Sequence, residues 1–233
     1  MLRVRELHKS RGGYSLQVPC LDLRPGQRLA VVGPSGSGKS TLLDLLALVL
    51  SPDPGGLLEL SRDGCTHDVG RLWRNGGQEE LARLRSQALG YVLQTGGLLG
   101  FLDVRGNIAL SRELLGLPED GTVQRLAERL EISDQLAKRP AALSVGQRQR
   151  VGIARALAHS PSLVLADEPT ASLDPVNAER VMQLLVEQAR EQGSCIIVAT
   201  HDEVLARRAG LDVMHLAVQR GDGSVTATLQ EAG

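Results

Sequence analysis

The run Gly33-Pro34-Ser35-Gly36-Ser37-Gly38-Lys39-Ser40 constrains this chain more than any other stretch, because it matches the phosphate-loop template G-x-x-x-x-G-K-[ST] in the setting that template needs. An apolar segment, Leu29 to Val32, precedes it, and an apolar helical pattern, Thr41 to Leu50, follows. Glycine admits backbone conformations closed to other residues, so successive N–H groups can turn inward on phosphate oxygens. The helix behind the loop adds the positive end of its dipole, about half an elementary charge, on the same anion. On this reading Gly33 to Ser40, with Thr41 at the helix start, binds a nucleoside triphosphate. Lys39 reaches the β- and γ-phosphates and the Ser40 hydroxyl takes Mg²⁺.

A strand, loop and helix of this kind need a sheet to sit in. With 233 residues, 42% of them hydrophobic and 23% charged, the chain can bury one large or two small domains. Only 2% are aromatic, which leaves leucine, valine and alanine to do the packing. A formal net charge of −1 lacks the clustered Lys and Arg that a nucleic-acid backbone demands, so no nucleic acid is expected as a partner. Cys20, Cys65 and Cys195 are odd in number and share no metal-ligand spacing; they read as small packing residues of a reducing compartment. The start, Met1 to Glu6, carries no apolar secretory core. The longest apolar stretch, Leu42 to Leu50, contains Asp44 and falls short of the roughly 20 residues a membrane span needs. The expected location is cytoplasmic, with any membrane attachment made through another protein.

Along the chain, strands are expected at Leu2 to Leu7, Tyr14 to Leu23, Gln27 to Val32 and Leu57 to Leu60, punctuated by turns at Arg11-Gly12-Gly13 and Pro25-Gly26. Ser61 to Gly77 is polar and reads as a surface excursion; a short helix at Glu79 to Gln87 and a buried strand at Leu89 to Leu93 follow. From Leu102 to about Ala141 the apolar residues recur at helical spacing, predicting an all-helical insertion. The remainder alternates: helix Gly146 to His159, strand Leu163 to Ala166, helix Pro175 to Gln192, strand Cys195 to Thr200, helix Asp202 to Ala209. Strands Val213 to Val218 and Val225 to Leu229 close it around a Gly221-Asp222-Gly223 turn. Such alternation implies a parallel sheet covered by helices, hence an α/β fold with an antiparallel β portion at its N-terminal side.

Parallel sheets bind ligands beyond the carboxyl ends of their strands, so the polar residues found there carry most weight. Gln94, Asp167, Glu168 and His201 each follow an apolar strand. Asp167 is placed to hold Mg²⁺ through its water shell, and Glu168 to orient or deprotonate the attacking water, unless it is only an acidic helix-start cap. The Gln94 amide oxygen suits Mg²⁺ or water and can sense the γ-phosphate; alone it would be an ordinary loop residue. His201 suits a hydrogen bond to the γ-phosphate or the water, although a lone strand-end histidine is more often structural. Leu143-Ser144-Val145-Gly146-Gln147 opens the next helix and is either a helix cap or a second phosphate cradle. A second cradle in a chain that already has one points to a dimer with ATP at its interface.

Gly33 to Ser40, Gln94, Leu143 to Gln147, Leu163 to Glu168, Ser172-Leu173-Asp174 and His201 resemble, in order and approximate spacing, the Walker A, Q-loop, signature, Walker B, D-loop and H-loop of ABC-type ATPases. That resemblance implies a RecA-like phosphate-loop core (1–101 plus 142–233) with an antiparallel β subdomain, a helical subdomain (102–141), and head-to-tail homodimers. In such dimers Ser144, Val145, Gly146 and Gln147 of one copy meet the γ-phosphate held by Lys39 of the other, and Asp174 couples the two sites. The stretch Leu84-Arg85-Ser86, Leu89 to Gln94 and Leu98-Leu99 is similar to the group of lipoprotein-releasing, macrolide-exporting and cell-division ATPases (LolD, MacB and FtsE types). That group implies an integral membrane permease subunit as partner and a peripheral position on the cytoplasmic face of the inner membrane.

Two positions depart from the family pattern. Val145 replaces the first of two adjacent signature glycines, and Arg11 stands where the adenine-stacking aromatic is usual, with Tyr14 the nearest substitute. A guanidinium stacked on the base would contribute about 0.5–2 kcal/mol. The expectation is an ATP-hydrolysing subunit that binds ATP and Mg²⁺; the alternatives are a regulatory ATP-binding module with weak hydrolysis, or a soluble ABC ATPase acting on nucleic acid or ribosomes.

Overall fold

The short apolar runs of the sequence become the centre of one sheet. The computed structural model describes residues 2–62, 64–221 and 223–231. Among the described residues the strands are β1 (Leu2–Arg11), β2 (Tyr14–Leu23), β3 (Arg28–Val32), β4 (Leu57–Arg62), β5 (Cys65–Asp68), β6 (Leu89–Val92), β7 (Leu163–Asp167), β8 (Cys195–Thr200), β9 (Asp212–Gly221) and β10 (Ser224–Glu231). The helices are α1 (Lys39–Leu46), α2 (Val69–Arg74), α3 (Gln78–Ala88), α4 (Val104–Leu114), α5 (Thr122–Arg129), α6 (Val145–Leu157), α7 (Pro175–Glu191) and α8 (Glu203–Arg208). The sheet order is β5-β4-β1-β2-β10-β9-β3-β8-β7-β6.

Strands β9, β3, β8, β7 and β6 run parallel, and successive side chains alternate between two cores. Val32, Val164, Ala166 and Val198 pack with α4 to α8, whereas Val31, Leu165, Ile197 and Ala199 pack with α1 to α3. Burial on both faces is why these strands read as unbroken apolar runs. The antiparallel strands β5, β4, β1 and β2 are not a detached layer: β10 pairs parallel with β2 and antiparallel with β9, so all ten strands share one ladder.

Several sequence expectations are revised. Ser61 to Gly77 is not a loop excursion; it contains β5, paired with β4, and α2, which Asp68 caps by accepting from Arg71 N at 2.8 Å. Its residues are polar because β5 lies at the sheet edge, while Val69 is fully buried. Strand β1 runs to Arg11 rather than Leu7, since only Gly12 and Gly13, both at positive φ, separate it from Tyr14. Helix α1 stops at Leu46, and Leu48 takes φ 57° while staying buried, so the apolar run outlasts the helix. Cys20 and Cys65 are exposed; only Cys195 among the three packs inside. Asp222 of the expected Gly221 to Gly223 turn lies outside the described residues.

Residues 102–141 hold α4, α5, the 3-10 turn Ser133–Gln135 and the start of a second, Pro140–Ala142, and no strand among the described residues. Asp174 caps α7 by accepting from Asn177 N at 3.1 Å, with Pro175 at the first helical position and Gly193 at φ 70° beyond the end. Among the described residues no helix is long and apolar enough to cross a membrane.

Strand β6 and helix α6 approach so closely that a Cβ on Gly90 would lie 2.2 Å from Ala156 O. Gly90→Ala should lower stability by about 1–3 kcal/mol through overpacking, read as a lower urea midpoint. Gly100→Ala, whose Cβ would meet nothing within 4 Å, should stay within about 0.5 kcal/mol.

Candidate nucleotide site

The carboxyl ends of β3, β6, β7 and β8 deliver the phosphate loop, Gln94, Asp167 with Glu168, and His201 to one edge of the sheet. Backbone bonds join these exits: Gly33 N donates to Thr200 O at 3.4 Å, and Glu168 N to Ala199 O at 2.9 Å. A cavity of 420 Å³ opens there, lined by Tyr14, Ser35, Gly36, Gly38, Lys39, Ser40, Thr41, Gln94, Glu168, Ala171 and His201. Gly38 caps α1 at φ 93°, and a Cβ on it would lie 1.6 Å from the Tyr14 hydroxyl, so glycine alone fits. That hydroxyl donates to Ser37 O at 2.9 Å and clasps the β2 start to the phosphate loop. Burial raises the Tyr14 phenol above its ordinary pKa.

Lys39 is 5% exposed, and its three ammonium protons meet three acceptors. These are Gly33 O at 2.8 Å, Pro34 O at 3.2 Å and Glu168 Oε1 at 3.1 Å. The other carboxylate oxygen of Glu168 lies 2.7 Å from His201 Nδ1. Glu168 adopts φ 45°, a conformation that side-chain-bearing residues rarely hold and that clusters at functional sites. Lys39, Glu168 and His201 therefore form one chain of charge and hydrogen bonds across the cavity floor.

The residues present fit a divalent cation. Asp167 Oδ1 is buried with no hydrogen-bond partner, and Ser40 and Gln94 line the cavity. Among the described residues no cluster of three or more His, Cys, Asp or Glu could hold a metal without help. That suits Mg²⁺, which takes one or two protein carboxylates and completes its shell with phosphate oxygens and water. Behind Asp167, Tyr91 donates to Asp44 Oδ1 at 3.2 Å, and burial pushes the pKa of both groups upward. No motif marks this pair, although an acid in a leucine-rich helix four residues after Ser40 shares its helix face.

Arg11 is not brought to the cavity. It is exposed and borders a separate depression with Gly12, Gly13 and Ser224 to Thr226; Tyr14 lies between the two, bordering both that depression and the cavity. Pro34 and Ser37 border a further hollow, with Val218, Arg220 and Val225, that sequence patterns gave no reason to expect. Ser144, Val145, Gly146 and Gln147 lie outside the cavity of their own chain. Ser144 and Gln147 form a reciprocal capping box at 2.9 and 3.2 Å, and Val145 is 45% exposed at the first position of α6. Asp174 is likewise outside it, its carboxyl held below the ordinary pKa by Asn177.

The family model described as ABC transporter matches residues 16–171. The chain is 39% identical to the lipoprotein-releasing system ATP-binding protein LolD of Novosphingobium aromaticivorans, over 89% of this chain and 92% of that protein. It is 38% identical to the macrolide export ATP-binding/permease protein MacB of Marinobacter nauticus, over 90% of this chain but 32% of that protein. It thus spans nearly the whole of the LolD relative and about a third of the MacB relative. Among solved structures, dimeric MJ0796, a bacterial ABC transporter cassette, superposes with a TM-score of 0.76 at 29% identity, over 92% of this chain and 94% of that one. A post-hydrolysis dimer of MJ0796 bound to ADP and Pi superposes with the same score.

Lys39→Ala removes the buried cation that faces phosphate. Loss of charge-assisted bonds worth about 1.5–3 kcal/mol should weaken ATP binding about 10- to 150-fold, measured by fluorescent-nucleotide titration.

Proposed function

The chain belongs to the ABC transporter family, and from that premise we infer that it is the ATP-binding and ATP-hydrolysing subunit of a transporter or mechanotransmission complex. It works as a homodimer around two ATP and drives an integral membrane permease subunit. The observation that carries this reading is the Lys39–Glu168–His201 chain at the mouth of the phosphate loop.

Phosphoryl transfer to water passes through a loose transition state, so catalysis is mostly positioning and charge stabilisation. The loop N–H groups take the phosphates, and Lys39 exchanges its bond to Glu168 for a phosphate oxygen. Glu168, released on that side and still held by His201, accepts a proton from the attacking water as its oxygen bonds to the γ-phosphorus; the bond to ADP then breaks. His201 donates from Nδ1 and keeps the carboxylate aimed. Ser40, Asp167 and Gln94 would hold Mg²⁺, which would supply neutralisation of the charge developing on the phosphate oxygens. Tyr14 rather than Arg11 is assigned to the nucleoside, because it faces the cavity.

Ser144 to Gln147 serve the nucleotide of the other copy: the capped but solvent-exposed start of α6 turns the positive end of its dipole outward, and its own chain's cavity does not include it. ATP closes the pair because it contacts both copies only in the closed form, and hydrolysis reopens it. Asp174 couples the sites across the interface. The chain divides functionally into a RecA-like core with its β subdomain (1–101, 142–233) and a helical subdomain (102–141). The surface beside Gln94 and the Phe101 to Arg105 turn, where Phe101 is 72% exposed, receives a cytoplasmic helix of the permease and holds the chain at the inner membrane. No nucleic acid takes part. Val145 at the start of α6 favours slow turnover as a second reading, and steady-state ATPase with the permease present separates it from brisk hydrolysis.

Glu168→Gln keeps the shape of the site and removes the base. Turnover should fall about 10²- to 10⁴-fold while ATP binding persists. Light scattering should find a dimer with ATP and Mg²⁺; full turnover would remove Glu168 from the base role.

A further inference from the structure

A carboxylate stands behind the metal-binding edge with no cation of its own. Asp44 lies on α1 one turn after Ser40, so the two share a face of that helix. Tyr91 of β6 pairs with Leu165 of β7, and alternation along β7 puts Asp167 on the same face of the sheet as Leu165. That is the face covered by α1, because Leu165 and Tyr91 pack with Leu42, Leu43, Leu45 and Leu46. Tyr91, Asp44 and Asp167 therefore meet in the seam between α1 and the ends of β6 and β7.

What reaches the Asp44 carboxylate is a phenol and a second carboxylate. Tyr91 donates to Asp44 Oδ1 at 3.2 Å, and the charge of Asp167 opposes that of Asp44. Among the described residues no lysine or arginine pairs with Asp44. The buried ammonium of Lys39 is already spent on Gly33, Pro34 and Glu168, and Asp167 Oδ1 has no hydrogen-bond partner. Like charges set together in a partly buried seam are unfavourable until a cation joins them. The Tyr91 phenol, its pKa pushed upward by burial, remains a donor and keeps the Asp44 carboxylate in place.

We propose that Asp44 is a positioning residue of the Mg²⁺ site: held by the Tyr91 phenol, its carboxylate adds negative charge behind Asp167 and so sets how tightly this edge holds a divalent cation. Asp44 does not line the cavity, so it acts through Asp167 and not as a ligand. Residues that support a metal ligand from behind tune affinity much as ligands do. The inference rests on the assignment of Mg²⁺ to Ser40, Asp167 and Gln94 given above.

The test uses the full chain and Asp44→Asn, which keeps an acceptor for Tyr91 and removes the charge. Binding of a fluorescent ADP is titrated over a series of MgCl₂ concentrations and again in EDTA, and urea unfolding is followed in both conditions. The Mg²⁺ concentration that half-restores tight ADP binding should rise about 10- to 100-fold, the usual cost of losing the support behind a ligand. ADP affinity in EDTA should hold or rise, since a negative charge near the phosphates is gone. The unfolding midpoint in EDTA should also hold or rise, while the increment produced by MgADP shrinks. A residue that only packs would move both midpoints down together.

Tyr91→Phe leaves the charge but frees the carboxylate. It should shift the Mg²⁺ requirement in the same direction by a smaller factor, and it decides the matter if Asp44→Asn does not fold. Equal losses of midpoint with and without Mg²⁺ would mark general damage and overturn the proposal. So would an unchanged Mg²⁺ requirement in every variant that folds. A parent whose ADP binding ignores Mg²⁺ would overturn the metal assignment and this inference with it, whereas a parent that needs Mg²⁺ equally with and without Asp44 overturns this inference alone.

Discussion

The rest of the site depends on the burial of one ammonium group. Lys39 is almost entirely out of water, and such a charge persists only when each of its protons has an acceptor. Two acceptors come from the loop's own backbone at Gly33 and Pro34, so the loop must curl around the side chain. The third, Glu168, must reach back from β7, which its left-handed backbone allows. Once Lys39 is held, the carboxylate and the first turn of α1 have little freedom left, and the more exposed His201 meets the carboxylate from outside. A phosphate group arriving at the loop N–H groups would compete for a proton already in use, and that competition would carry binding through to the Glu168 carboxylate.

Much of the fold is legible in the sequence because the central strands are buried on both faces. Runs such as Leu163 to Ala166 and Cys195 to Thr200 have no polar side to blur the signal. The ends of elements are less legible. Leu48 and Leu50 continue the apolar pattern of α1 after its ladder has ended, because burial and helix formation are separate demands. Edge strand β5 carries Cys65, Thr66, His67 and Asp68, and nothing in that composition separates a half-exposed strand from a loop.

For the site, residues that follow apolar strands could be read directly, since strand and ligand position are linked in parallel sheets. Glu168 and His201 are seen in contact, as their shared edge suggests. The nucleoside side was less readable. Arg11 and Tyr14 are register partners across a two-glycine turn and both border the outer depression, yet only Tyr14 also reaches the cavity, a distinction that depends on local twist. Arg155, Gln149 and Asn107 also bond to loop carbonyls after β6, contacts that were silent in the sequence, because a backbone acceptor leaves no mark on the residue that bears it.

The place of β10 has a mechanical consequence. By bonding to β2 on one side and β9 on the other, it welds the antiparallel strands to the parallel ones without a seam. A plate of this kind resists folding along its middle, so force applied at α4 and α5 cannot be spent in bending it. The plate serves as a fixed bed, on which α6 is seated through the close approach of Gly90 and Ala156.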